Sequence, residues 1–280
     1  MREVAIVTDS TSDITPEIAK DLDIGVVPLM VAFGEEVFED GVLSQQEFFD
    51  RMNAAPSLPT TSQPSVGAFT EMYTRQLETA RSVVSVHISA ALSGTIESAT
   101  EAARHFGDRV QIFDTRNLAW GEALQVVEAA RAAARGATVQ DVLATLESAH
   151  KRVRMIVGID ALDNLARGGR IGRVSAFLGS VLNLRVLFTV NQQGSFEPVA
   201  KIRGSHAALD RTMSWVAEQM GQKQEAVFAV MHALSPDKAA WLEEQIRAKY
   251  GVKEMFVIEA GPVISTHTGT GWGVALLPVD

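Results

Sequence analysis

Val4-Ala5-Ile6-Val7-Thr8-Asp9-Ser10-Thr11-Ser12-Asp13-Ile14-Thr15-Pro16 sets four apolar residues against six polar ones and then a helix-start signal. The apolar run reads as a short buried strand. The polar run reads as a turn, and Thr15 with Pro16 supplies an N-cap followed by a proline at the first helical position. Strand, polar loop, helix is the opening unit of an α/β fold, with the polar residues gathered at the carboxyl end of the strand.

The same order repeats outward from it. Ile24 to Val31 reads as a second strand, and Phe33 to Phe38 as a hairpin around Gly34-Glu35-Glu36. Ser44-Gln45-Gln46-Glu47 fits a capping box for a helix through Phe48, Phe49 and Met52. Pro59 to Ser65 is a polar loop that its prolines hold extended, and Ser65 caps a helix through Phe69, Met72, Tyr73 and Leu77. Ser82 to Ile88 is a third strand and Val110 to Phe113 a fourth. Helices follow from Gly121 to Arg135 and from Val139 to about Lys151, the latter capped by Thr138. The alternation predicts, over residues 1–155, a Rossmann-like three-layer α/β/α domain on a parallel sheet. Ligand loops then fall at the strand ends, in Thr8 to Asp13, Thr60 to Ser65 and Ser89 to Gly94.

Beyond Met155 the pattern changes. Val186 to Val190 and Phe196 to Ile202 flank a polar turn as a hairpin, Ser205 reads as a helix cap, and Ser235-Pro236 opens another helix. Residues 156–280 are expected to form an α+β domain with a mixed sheet. Near its end, Gly261-Pro262-Val263-Ile264-Ser265-Thr266-His267-Thr268-Gly269-Thr270-Gly271 reads as a glycine-bounded polar loop between two strands. Taken alone it fits a turn with a solvated histidine as well as one wall of a site.

Composition narrows the function. The chain has 280 residues, 46% hydrophobic and 21% charged, as a folded globular protein does. Its net charge of −9 argues against a nucleic-acid partner, whose phosphates need a basic surface. Without cysteine there is no disulfide, thiolate metal site or cysteine nucleophile. The first residues meet charge and a turn too soon to read as a signal peptide, and no apolar run reaches the roughly 20 residues of a membrane span. The expected compartment is the cytoplasm. Phosphate-loop, dinucleotide, zinc-protease and nucleophile-elbow spacings are all missing, and six dispersed histidines support no metal centre.

What remains is a set of small hydroxyl residues at strand ends. Ser93 stands where a helix begins, so it is either a plain cap or a donor to an anion. Thr61 and Ser62 lie in the proline-bounded loop. Arg170, in Arg167-Gly168-Gly169-Arg170, is either a bidentate partner for a carboxylate or a helix-end charge. The apolar stretch Val174 to Leu182, flanked by Arg173 and Arg185, suits a core helix or the lining of a long pocket. Such a pocket fits an acyl chain, each buried methylene contributing roughly 0.8 kcal/mol. A serine hydrolase-like esterase with Ser93 as nucleophile and His267 as base, oriented by Asp9 or Asp114, is the alternative, and binding of some other anion a third.

Five segments together resemble the DegV family: Val7 to Asp13, Thr60-Thr61-Ser62-Gln63-Pro64, Leu92-Ser93-Gly94-Thr95, Gly168-Gly169-Arg170-Ile171, and Gly261 to Ile264 with Thr266 to Gly269. They occur in family order across the whole chain. The resemblance implies a bacterial lipid-binding protein, with a long-chain fatty acid as its ligand, held between the two domains, and no further cofactor. Thr61, Ser93 and His267 would hold the carboxylate, Arg170 beside them and Ser62 and Thr266 as neighbours. It further implies a non-catalytic subunit of a fatty-acid kinase. A separate ATP-binding kinase chain would make acyl phosphate for phospholipid synthesis, and transient membrane-surface contact would fit that role. Arg203 looks like the family arginine of kinase interaction, although Arg203-Gly204-Ser205-His206 lacks the lysine-rich continuation common in relatives.

Overall fold

The computed structural model describes residues 1–172 and 184–279. The stretch from Val174 to Leu182, with Arg173, lies outside the described residues.

The first half is built on four parallel strands, β1 (Arg2–Asp9), β2 (Ile24–Val27), β6 (Ala80–His87) and β7 (Val110–Asp114), in the order β2-β1-β6-β7. β1 takes the centre because Val4 to Val7 is apolar on both faces. Ala5 and Val7 pack against α3 (Val66–Leu77) and α4 (Thr95–Ala103), while Val4 and Ile6 face α5 (Ala119–Ala134) and α6 (Val139–Arg152). The predicted three layers are therefore present. Thr15 caps α1 (Pro16–Asp21), and capping boxes start α2 (Gln45–Ala54) at Ser44 with Glu47 and α6 at Thr138 with Asp141.

Two local expectations fail here. The single strand expected over Ile24 to Val31 is broken at Pro28, which brings no N–H to a ladder and ends β2 at Val27. The chain then joins a separate antiparallel sheet of β3 (Met30–Phe33), β4 (Glu36–Glu39) and β5 (Thr60–Ser62), ordered β4-β3-β5. The hairpin is as expected, but the polar loop at Thr60 is a strand: Thr61 pairs with Val31 and Ser62 with Met30.

The second half is a six-stranded mixed sheet in the order β10-β9-β8-β13-β11-β12. Its strands are β8 (Arg154–Ile159), β9 (Leu184–Val190), β10 (Phe196–Arg203), β11 (Glu225–Ala233), β12 (Gly251–Glu259) and β13 (Gly271–Pro278). All neighbours run antiparallel except β11 and β12. One face carries α8 (Ser205–Met220) and α9 (Pro236–Lys249). Ser205 is the first residue of α8 and makes no cap bond; Gly204, at φ +89°, precedes it. The other face packs on α5 and α6, so one helical layer serves both sheets and a single apolar cluster runs from Val4 and Ile6 through Trp120 and Leu124 to Met231 and Leu277.

α7 (Asp163–Arg167) and α10 (Pro262–Thr268) complete the described α-helices. α10 corrects the expected loop at residues 261–271. Gly261 is its N-cap residue and Pro262 its first position. Two of its threonines satisfy their hydroxyls on the helix itself, Thr266 Oγ1 donating to the Pro262 carbonyl at 2.8 Å and Thr268 Oγ1 to that of Ile264 at 3.0 Å, while Ser265 Oγ donates to the Ala260 carbonyl just before it at 3.3 Å.

Candidate functional site

The strand-end segments of the first half and the α7–α10 face of the second converge on a cleft. Thr61 arrives on β5, Ser93 in the turn between β6 and α4, Arg170 just after α7, and His267 in the last turn of α10. All four line one space whose other walls include Leu29, Ile88, Leu165 and Val263. A second space shares Leu118, Ile264 and Thr268 with it and is almost wholly apolar, reaching Met155, Phe188 and Met231. Each is a narrow cleft with about 40 Å³ of free volume, room for a water or two as the protein stands. Together they form an apolar slot with a polar mouth.

The geometry of the mouth is set by direct bonds. Thr61 Oγ1 and His267 Nε2 are 2.8 Å apart, joining β5 to α10. His267 Nδ1 is buried without a partner. Burial, with the Arg170 guanidinium adding to it, pushes the imidazole down to about 4, so it is neutral near pH 7. Gly168 lets the ring sit where it does, since a Cβ there would lie 2.3 Å from Nδ1. Arg170 donates to the carbonyls of Leu92 at 3.2 Å and Gly168 at 2.8 Å, tying the α7 turn to the Ser93 turn. Ser93 Oγ lies 2.9 Å from Thr95 Oγ1 and accepts from the Thr95 N–H at 3.3 Å.

Ser62 lines neither of these spaces, whereas Thr266 borders an adjoining groove with Thr61, Arg170 and His267. Ser62 is exposed on β5, and Thr266 is buried with its hydroxyl bonded within α10. Arg203 is exposed at the end of β10. The sequence reading had not singled out Gln63. Its amide rests on Gly94, where a Cβ would meet Oε1 at 2.1 Å, and donates to Ser98 Oγ at 2.9 Å, which fixes the Ser93 turn against β5. Thr11 is the residue by which the expected ligand loop Thr8 to Asp13 reaches the cleft. It lines the mouth, and its hydroxyl is bonded to Asp9 Oδ1 beneath. Asp9 is a hub: it takes the N–H groups of Thr11 and Ile88, each at 3.1 Å, and pairs with His87 Nδ1 at 2.9 Å, all out of solvent. Glu122 joins the same cluster through Thr8, and burial followed by the Asp9 charge raises its pKa well above the usual carboxyl range.

The esterase arrangement is not assembled. His267 Nε2 meets Thr61, Ser93 is engaged with Thr95, Asp9 holds His87, and Asp114 accepts the Arg116 N–H. No nucleophile–base contact links Ser93 to His267 among the described residues, and no carboxylate orients the imidazole. Among the described residues there is also no group of three or more histidine or carboxylate side chains placed to hold a metal, and no helix long and apolar enough to cross a membrane.

An α/β protein with an apolar slot and a hydroxyl, imidazole and guanidinium mouth is of the kind that receives an amphiphilic anion. The chain belongs to the DegV family: the family model described as "Uncharacterised protein, DegV family" matches residues 3–279. It is 38% identical over 284 residues to a DegV domain-containing protein of Deinococcus radiodurans, covering 99% of both chains. Its fold matches a fatty-acid-binding DegV family protein of Thermus thermophilus with a TM-score of 0.94 at 33% identity, and DegV of Bacillus subtilis, a fatty acid binding protein, with 0.89 at 30%, each over 100% of both chains.

Proposed function

We propose that this chain binds a long-chain fatty acid between residues 1–155 and residues 156–280, carboxylate at the mouth and tail in the slot. The observation that carries this reading is the convergence of Thr61, Ser93, Arg170 and His267 at one end of an otherwise apolar space. A buried carboxylate needs several donors to offset desolvation. Hydroxyls, an arginine and a neutral imidazole supply them, with Ser62 and Thr266 supporting the strand and helix that carry Thr61 and His267. The DegV relatives that bind fatty acids support the same ligand.

In this reading the protein is a non-catalytic cytoplasmic carrier. It offers the carboxylate to a separate ATP-binding kinase chain, and the acyl phosphate formed there feeds phospholipid synthesis. Arg203, exposed at the end of β10, is the residue proposed to meet that partner. Native mass spectrometry of gently purified protein should reveal a bound fatty acid. A protein that is empty and also ignores added oleate and palmitate would sink the proposal. For the partner step, Arg203→Glu should retain oleate yet fail to support acyl phosphate formation with a purified fatty-acid kinase; equal turnover would remove Arg203 from the interface.

A further inference from the structure

α10, which carries His267, is held from outside its own half of the molecule. Asp13, in the loop after β1, accepts the Gly261 N–H at 3.0 Å, and Asp40, just after β4, accepts the Val263 N–H at 3.0 Å. Pro262 between them has no N–H to offer, so the two carboxylates take the N–H groups of the N-cap and second helical positions that helix geometry leaves unpaired. The partners are 248 and 223 residues apart in sequence.

Both acids are fixed through their backbone, Asp40 by its N–H to the Leu29 carbonyl at 2.8 Å. Asp13 adopts φ +53°, with its N–H bonded to the Ser10 carbonyl at 3.0 Å and its own carbonyl accepting from Trp120 Nε1 at 3.2 Å. Gly261 completes the fit, because a Cβ there would meet Asp13 Oδ1 at 2.7 Å and Asp40 Oδ1 at 3.3 Å.

We propose that Asp13 and Asp40 are positioning residues for the candidate site: together they clamp the first turn of α10 and so hold His267 against Thr61. The inference rests on the fatty-acid reading for its ligand but not for its geometry. The clamp is electrostatically costly. Asp13 and Asp40 face each other, Asp9 lies behind both, Glu122 approaches Asp13, and Glu259 of β12 lines the same outer groove; none of the described residues lining that groove is basic. Burial, opposed by the Ser10 hydroxyl and the Val263 N–H and reinforced by Asp9, raises Asp40 to about 6; burial and then Asp40 raise Asp13 well above the usual range. Because both side chains border an open groove, protons can reach them.

The sign is opposite for stability and for binding. A carboxyl whose folded pKa is raised favours the folded state when protonated, so that contribution is lost as pH climbs from about 4 to about 6. A charged carboxylate nonetheless grips an N–H more strongly than a neutral one.

Asp40→Asn separates the two effects. At pH 7.5 the variant should melt about 2 to 4 °C higher, having lost a buried charge. It should also bind oleate about five- to ten-fold more weakly, and amides at 262–268 should exchange with deuterium faster. Between pH 7.5 and 5, oleate affinity of the parent should fall relative to the variant. Asp13→Asn should behave likewise.

A melting point and an affinity that drop together would reduce both acids to ordinary structural residues and overturn the proposal. So would unchanged exchange at 262–268, whatever happens to oleate. Failure of the parent protein to bind oleate, with exchange still faster in the variant, would instead overturn the fatty-acid reading and support the clamp.

Discussion

At the scale of single residues, the donors at the mouth differ in what their loss should do. His267 and Ser93 are half-buried and bonded to one neighbour each, so removing either leaves the core untouched. His267→Ala and Ser93→Ala should each weaken oleate binding by about 1.5 to 3 kcal/mol, the worth of a hydrogen bond to a charged group, with little change in melting temperature. Titration calorimetry measures this, and unchanged affinity in both variants refutes the assignment. The depressed pKa of His267 also has a stability consequence. The unfolded chain takes up a proton below about 6.5 while the folded one resists until about 4, so the penalty grows over that window to about 3 kcal/mol. Relative to the parent, His267→Gln should therefore gain stability as pH falls from 7 to 4.5, read from chemical denaturation; a constant difference would show a freely solvated imidazole. This quartet is visible in sequence because short polar clusters interrupt apolar runs. Asp13 lies in such a cluster and Asp40 does not, but nothing local marks either as an acceptor for a helix whose N–H groups lie more than 200 residues away.

Among the elements, boundaries set by local chemistry are readable and those set by pairing are not. Capping boxes place α2 and α6, and Thr15-Pro16 places α1. The three residues of β5 have no strand signature of their own and become a strand because Val31 and its neighbours offer an edge. Residues 261–271 look like a loop because serine, threonine and histidine are indifferent helix formers. The overlooked signal was Gly261-Pro262, an N-cap and first-position pair of the same kind used to place α1. The α7–α10 contact yields a test of its own. Gly168→Ala keeps an allowed backbone, at φ −75°, but puts a methyl 2.3 Å from His267 Nδ1. It should push the ring off Thr61 and reduce oleate affinity about ten-fold or more, while circular dichroism stays that of the parent. Parent-like binding would mean that the His267–Thr61 contact is dispensable.

The whole molecule is less divided than its sequence suggests. The change in pattern near residue 155 marks the passage from a parallel to a mixed sheet, which composition and periodicity do show. They do not show that α5 and α6 bury apolar side chains against both sheets, because a helix that is apolar on nearly all sides is explained by one neighbour or by two. Thermal unfolding followed by calorimetry should give one cooperative transition, with van't Hoff and calorimetric enthalpies in agreement. Two resolved transitions would show that the halves have independent cores.

The positions of the first and last strands extend this into mechanics. β1 is zipped to β2 on one side and β6 on the other, and β13 likewise to β8 and β11. Neither lies at a sheet edge, where a strand can be peeled away one hydrogen bond at a time. A molecule stretched between these two strands must therefore break two ladders to free either one, and its resistance to load is governed by the unfolding rate.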